Sequence, residues 1–257
     1  MTQDAGSVEK WQEFSLKVRD IGYVVMSHCG FDSGNTRITD PRVMATTLLA
    51  RTLSNLLAVR HLVKGGYIVE ARTIARCCYE NSFWVQGLIA GGDAFVLEMR
   101  RDEAASFRSR METIFTTVGK LEDQKKEDGL RQRLRENKKL NPKPLNPKEA
   151  SARGPLGTSY MIYGQLSADA AHPSLTALMR YLVKSVEGNT VIHTVEAVPE
   201  PKIGETLKTL EWACGGAVAV IVGVNQLYQG TPADDLIRHL MDELVEMAGY
   251  PTPPSTA

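Results

Sequence analysis

Apolar residues fall at helical spacing along most of this chain. Phe14, Val18, Ile21 and Val25 recur at i, i+4, i+7 and i+11, the signature of one buried helix face, and predict a first helix capped at Ser7 and running to about His28. The polar, turn-rich CGFDSGNTRITDP follows as a loop. Asp40 before Pro41 predicts a sharp helix start, a side-chain acceptor followed by a residue whose fixed φ suits the first helical position. That second helix runs to Val63 and halts at Gly65-Gly66; a third covers about Tyr67 to Ile89 and halts at Gly91-Gly92, so the two form an antiparallel hairpin. Asp93 then caps a fourth, increasingly charged helix expected to run out toward Leu140.

Pro142, Pro144, Pro147 and Pro155 exclude a long helix over Asn141–Gly157, which reads as a linker. Thr158 opens a fifth helix ended by His172-Pro173, and Thr206–Tyr228 and Thr231-Pro232 onward supply two more. Between them, over Leu178–Val198, β-branched runs flank Glu187-Gly188-Asn189 as in a short hairpin, although the first half, 178–186, equally continues as helix. The fold class expected is all-α: a bundle of about six or seven helices with a small β-hairpin excursion. One domain is expected over residues 1–257, with a flexible basic and proline-rich linker around 125–157.

Composition narrows the classes. Thirty basic residues balance thirty acidic ones, so only a local patch can draw a polyanion. The N-terminus carries acids where a signal peptide has a basic start, and the longest uncharged apolar stretch, Ala213–Val224, is short for a bilayer span. A cytoplasmic location and no membrane partner are expected. Cys29, Cys77, Cys78 and Cys214 include no CxxC and no histidine at zinc-ligand spacing, so they read as reduced thiols, with neither metal nor cofactor implied. No dinucleotide fingerprint, P-loop, HExxH or GxSxG occurs.

Two polar features stand out. On the apolar third helix, Arg72, Arg76 and Glu80 are spaced four apart, which puts Arg76 and Glu80 within ion-pair reach. On the fifth, Tyr160, Tyr163 and Ser167 share a face and His172 sits at the helix end, where its near-neutral titration suits acid–base chemistry. Arg76-x3-Glu80 followed by Tyr163-x2-Leu166-Ser167-x4-His172-Pro173-Ser174 resembles an uncharacterised bacterial family of helical proteins, catalogued as a domain of unknown function. The resemblance implies that Arg76, Glu80, Tyr163, Ser167 and His172 converge between two helices. It also has the general look of HEPN-type bundles, which include metal-independent ribonucleases of toxin and defence systems; there an Arg-x4–6-His motif supplies arginine for phosphate and histidine for acid–base work. This chain departs from that motif, since Arg60-His61 and Arg238-His239 are adjacent, and Arg76 and His172 would have to act from separate helices.

A basic segment is the remaining electrostatic pointer. Lys125–Lys148 holds nine basic and three acidic residues, a net of +6 against −6 for the rest of the chain. Arg131, Arg133, Arg135, Lys138 and Lys139 are its candidate contacts to RNA phosphates, with Arg72 and Ser167 as further candidate ligand or nucleic-acid contacts. Its bland alternative is a solvated helix end. Gly215, Ala219 and Gly223 form a row of small residues suited to close helix packing, within the core or across a homodimer. Function therefore divides between an RNA-related toxin or defence module and a non-catalytic ligand-binding or protein-interaction bundle whose polar network is structural.

Overall fold

A computed structural model describes residues 2–31, 36–119, 122–170, 174–188 and 190–249. Ten helices and one antiparallel hairpin account for most of them: α1 Thr2–His28, α2 Pro41–Lys64, α3 Ile68–Gly91, α4 Asp93–Thr117, α5 Gln124–Lys138, α6 Pro147–Ser151, α7 Tyr160–Ala170, α8 Leu175–Met179, β1 Leu182–Glu187, β2 Thr190–Val195, α9 Ile203–Leu227 and α10 Asp234–Ala248. The chain is an all-α bundle with a small β-hairpin. The helix count exceeds the expected six or seven because α6 and α8 are single turns and the fourth helix is broken.

Helices α1, α2 and α3 each pack on α9, and α2 packs on both α1 and α3; together the four build the core. Phe14, Val18 and Val25 from α1, Leu49, Leu53 and Leu56 from α2, Phe83 and Leu88 from α3, and Leu210, Ile221 and Val224 from α9 are all buried there. Helix α9 is long and apolar enough to cross a membrane, but most of its apolar window is buried inside this bundle. Helix α10 rides on α9, while α6 and α7 lie on the far side of α3. The small residues of α9 are used against α3. A Cβ at Gly216 would stand 3.2 Å from the Cys78 carbonyl carbon, and one at Gly223 would stand 2.6 Å from Val85 Cγ1. Glycine here is what lets the two helices cross so closely; the row that matters is Gly216 and Gly223, with Gly215 and Ala219 half-buried beside it.

The sequence signals at the helix ends act as expected at α2, where Asp40 Oδ1 accepts from Arg42 N at 2.8 Å. The α2–α3 turn closes on Gly66 with φ +80°, which favours glycine. Helix α1 begins ahead of Ser7, and Gly92, not Asp93, occupies the N-cap of α4. The larger departure is over 118–157. Helix α4 stops at Thr117, Gly119 has φ +77°, and α5 turns back along α4. Asn146 and Pro147 start a further turn, with Asn146 Oδ1 accepting from Lys148 N at 2.9 Å, and Ala150 is buried against the bundle. The stretch read as a linker is thus a helix, a tethered crossing and a second short helix. Asp102 Oδ1 accepts from Leu145 N at 2.8 Å, and Arg153 makes a two-pronged ion pair with Glu98.

The hairpin settles the strand-or-helix ambiguity of 178–186 by dividing it, with α8 ending at Met179 and β1 starting at Leu182.

Candidate functional site

Helix α7 is fastened to α3 by a polar network centred on Arg76. Its Nε donates to Ser167 Oγ at 2.9 Å, one terminal nitrogen donates to the Tyr163 hydroxyl, and the other lies 3.2 Å from Glu80 Oε2. Ser167 in turn donates to the Tyr163 carbonyl at 2.7 Å, a back-bond within α7 that aims its oxygen at the guanidinium. Tyr163 is buried, packed edge-on against Phe83 and stacked on Tyr160 with ring centroids 5.5 Å apart. The Arg76 guanidinium also lies 4.6 Å from the Tyr163 ring centroid. Burial pushes the Tyr163 hydroxyl above the usual phenol range, and the Glu80 carboxylate adds to that while Arg76 opposes it. The hydroxyl therefore remains a neutral acceptor for Arg76.

Four of the five residues expected to converge do so: Arg76, Glu80, Tyr163 and Ser167. His172 lies outside the described residues. The site is not sealed, since the Arg76 and Glu80 side chains retain 24% and 31% exposure. What it can do chemically is limited by its own pairing. The guanidinium has a protein partner on each of its three nitrogens, and its charge is matched by Glu80.

Arg72 makes a contact of its own. It is 7% exposed and turns to α9, where its guanidinium lies over the Trp212 ring at 4.9 Å.

The basic segment forms the outer helix of the α4–α5 pair. Glu127, buried, holds Arg131 at 2.7 Å, and Arg131 lies over Phe115 at 4.3 Å. Arg133 lies over Phe107 at 4.5 Å and reaches Glu103 at 3.5 Å. These two arginines dock α5 on α4 through aromatic rings contributed by α4, which the local sequence of α5 could not reveal. Arg135, Lys138 and Lys139 are exposed and make no ion pair among the described residues.

The four cysteines are free thiols, and burial pushes Cys78 and Cys214 far above the usual thiol range. Among the described residues no cluster of histidine, cysteine and carboxylate side chains could hold a metal.

A feature with no local sequence signal is a cavity of about 340 Å³ between the start of α3, α8 and the segment leading into α9. Tyr67, Ile68, Met179, Tyr181 and Val198 line it, and its charged pair Arg180–Glu205 is closed at 2.8 Å. None of Arg76, Glu80, Tyr163 or Ser167 reaches it.

No curated protein and no solved structure matches the chain. A family model does, over residues 42–190, from the start of α2 to the first residue of β2; that interval contains the Arg76 network and the whole α4–α5 arm, while α1, α9 and α10 fall outside it. The chain belongs to DUF5677, a family of unknown function.

Proposed function

We propose that this protein is a non-catalytic nucleic-acid-binding bundle, in which α5 holds the phosphates of RNA and the Arg76 network is structural. The observation that carries the reading is how the positive charge on α5 is distributed. Arg131 and Arg133 are engaged in docking the helix, whereas Arg135, Lys138 and Lys139 project from its last turn and the residue beyond with no ion pair among the described residues. Phosphate contact requires only positive charge at a reachable surface. Their position at a helix C-terminus is also favourable electrostatically, which is the competing structural reason for their presence.

Binding of fluorescent single-stranded RNA, with duplex DNA of equal length alongside, tests this over a series of salt concentrations. The expected outcome is an affinity that falls steeply with salt. Arg135→Gln, Lys138→Gln and Lys139→Gln together should flatten that slope by about two to three phosphate contacts. Binding that is absent at low salt, or insensitive to the triple change, would overturn the reading.

The same samples examine the toxin or defence alternative. RNA cleavage with Arg76 on phosphate and His172 as acid–base group requires Arg76 to surrender partners it holds in this arrangement. RNA shortened by the native chain and left intact by His172→Ala, with growth arrest on overexpression, would replace binding by cleavage.

A further inference from the structure

Strands β1 and β2 form a two-stranded sheet whose pairing puts Leu182 opposite Val195, Lys184 opposite His193 and Val186 opposite Val191. These six side chains share one face. That face is open, with Val191 49% and Val195 76% exposed. A lone two-stranded hairpin is marginal in water, and an unpaired strand edge is a template for another strand. The two-residue connection makes Glu187↔Thr190 the hydrogen-bonded closing pair. Alternation then turns the backbone N–H and C=O of Val191, His193 and Val195 away from β1. Among the described residues β2 pairs with β1 alone.

We propose that the outer edge of β2 pairs antiparallel with β2 of a second copy of this chain, on a two-fold axis at His193. The strand is self-complementary in that register. Val191 falls opposite the second copy's Val195, His193 opposite its own mate, and all three outward-facing residues meet outward-facing residues. The result is a four-stranded sheet. On either side of a central Lys184–His193–His193–Lys184 row lies an apolar row made of Leu182, Val195, Val191 and Val186, two from each copy. The equivalent pairing through β1 would set Lys184 against Lys184, and like charges directly opposite destabilise a sheet. Charge therefore selects β2, and the isologous geometry closes at two copies.

The test is sedimentation velocity of the full chain over a concentration series, with thermal melts to confirm that each variant is folded. The native chain is expected to dimerise. His193→Glu and His193→Lys each place like charges across the axis and should weaken the dimer at least about fivefold. An equimolar mixture of the two should restore it as a heterodimer. His193→Pro removes an outward N–H without touching a bond to β1, and should weaken the dimer about tenfold. Lys184→Pro, the matching change on the outer edge of β1, should leave it intact. A native chain that stays monomeric, a dimer that persists in His193→Glu, or dissociation by Lys184→Pro without effect of His193→Pro would overturn the proposal.

Discussion

Arg76 joins acceptors from two helices that are far apart in sequence, so its removal should be felt as loosening of α7 rather than as a purely local defect. Arg76→Ala leaves the Tyr163 hydroxyl and Ser167 without their donor and Glu80 without its cation. The network is partly exposed and water can replace some of these bonds, so the expected cost is about 2–3 kcal/mol, below the figure for a fully buried pair. Arg76→Lys should recover little, because one ammonium does not reproduce the fork that spans three acceptors. Thermal melts of both variants check this; an unchanged melting temperature for Arg76→Ala would mean that α7 is held by its aromatic packing on Phe83 alone. Half of this site was legible beforehand. Helical spacing pairs Arg76 with Glu80 and Tyr163 with Ser167; that the two pairs meet follows from the family resemblance and from no local pattern. Each i, i+4 step advances around the helix by about 40°, so Arg72 and Glu80 face directions about 80° apart, which is how Arg72 also reaches Trp212 on α9.

At the level of elements, packing at the α3–α9 crossing should be intolerant where an isolated helical glycine is not. Gly223→Ala adds a Cβ 2.6 Å from Val85 Cγ1, on a short, stiff side chain that has little room to yield. Overpacking of this kind costs about 1–3 kcal/mol, which outweighs the gain of about 1 kcal/mol in helix propensity. Gly164 on α7 has nothing within 4 Å of its would-be Cβ, so Gly164→Ala gains propensity unopposed and should stabilise by about 0.5–1 kcal/mol. Urea unfolding of the two variants should therefore move in opposite directions. The ends of α2 and the stop of α3 were legible, because Asp40-Pro41 and the paired glycines act through local sterics and local hydrogen bonds. The break after Thr117 was missed although Gly119 marks it, since charged helical residues continue on both sides. Asn146-Pro147 repeats the cap-and-proline signal of Asp40-Pro41, but it sits among prolines that argue for loop.

For the whole molecule, the family match and the core have different limits. Residues 42–190 supply α2, α3 and the α4–α5 arm, but the bundle core is completed by α1 and α9 from outside that interval. Two polar, proline-punctuated stretches are the natural places for a protease to enter, 141–157 and 181–202. The first is tied down by Asp102 on Leu145, by the Arg153–Glu98 pair and by burial of Ala150. The second is mostly exposed, and between Glu196 and Lys202 it has no helix or strand. Cleavage requires several residues of backbone to open locally, and the free energy of opening is lower where few contacts are lost. Brief trypsin treatment at low protein concentration should therefore cut at Lys184 or Lys202 before Lys148 or Arg153, releasing an N-terminal fragment that still contains α2 to α7. Mass spectrometry of the first fragments identifies the site. Initial cleavage at Lys148 or Arg153 would show that the crossing from α5 to α6 opens more readily than its tethers imply, and the free-linker reading of that stretch would then stand.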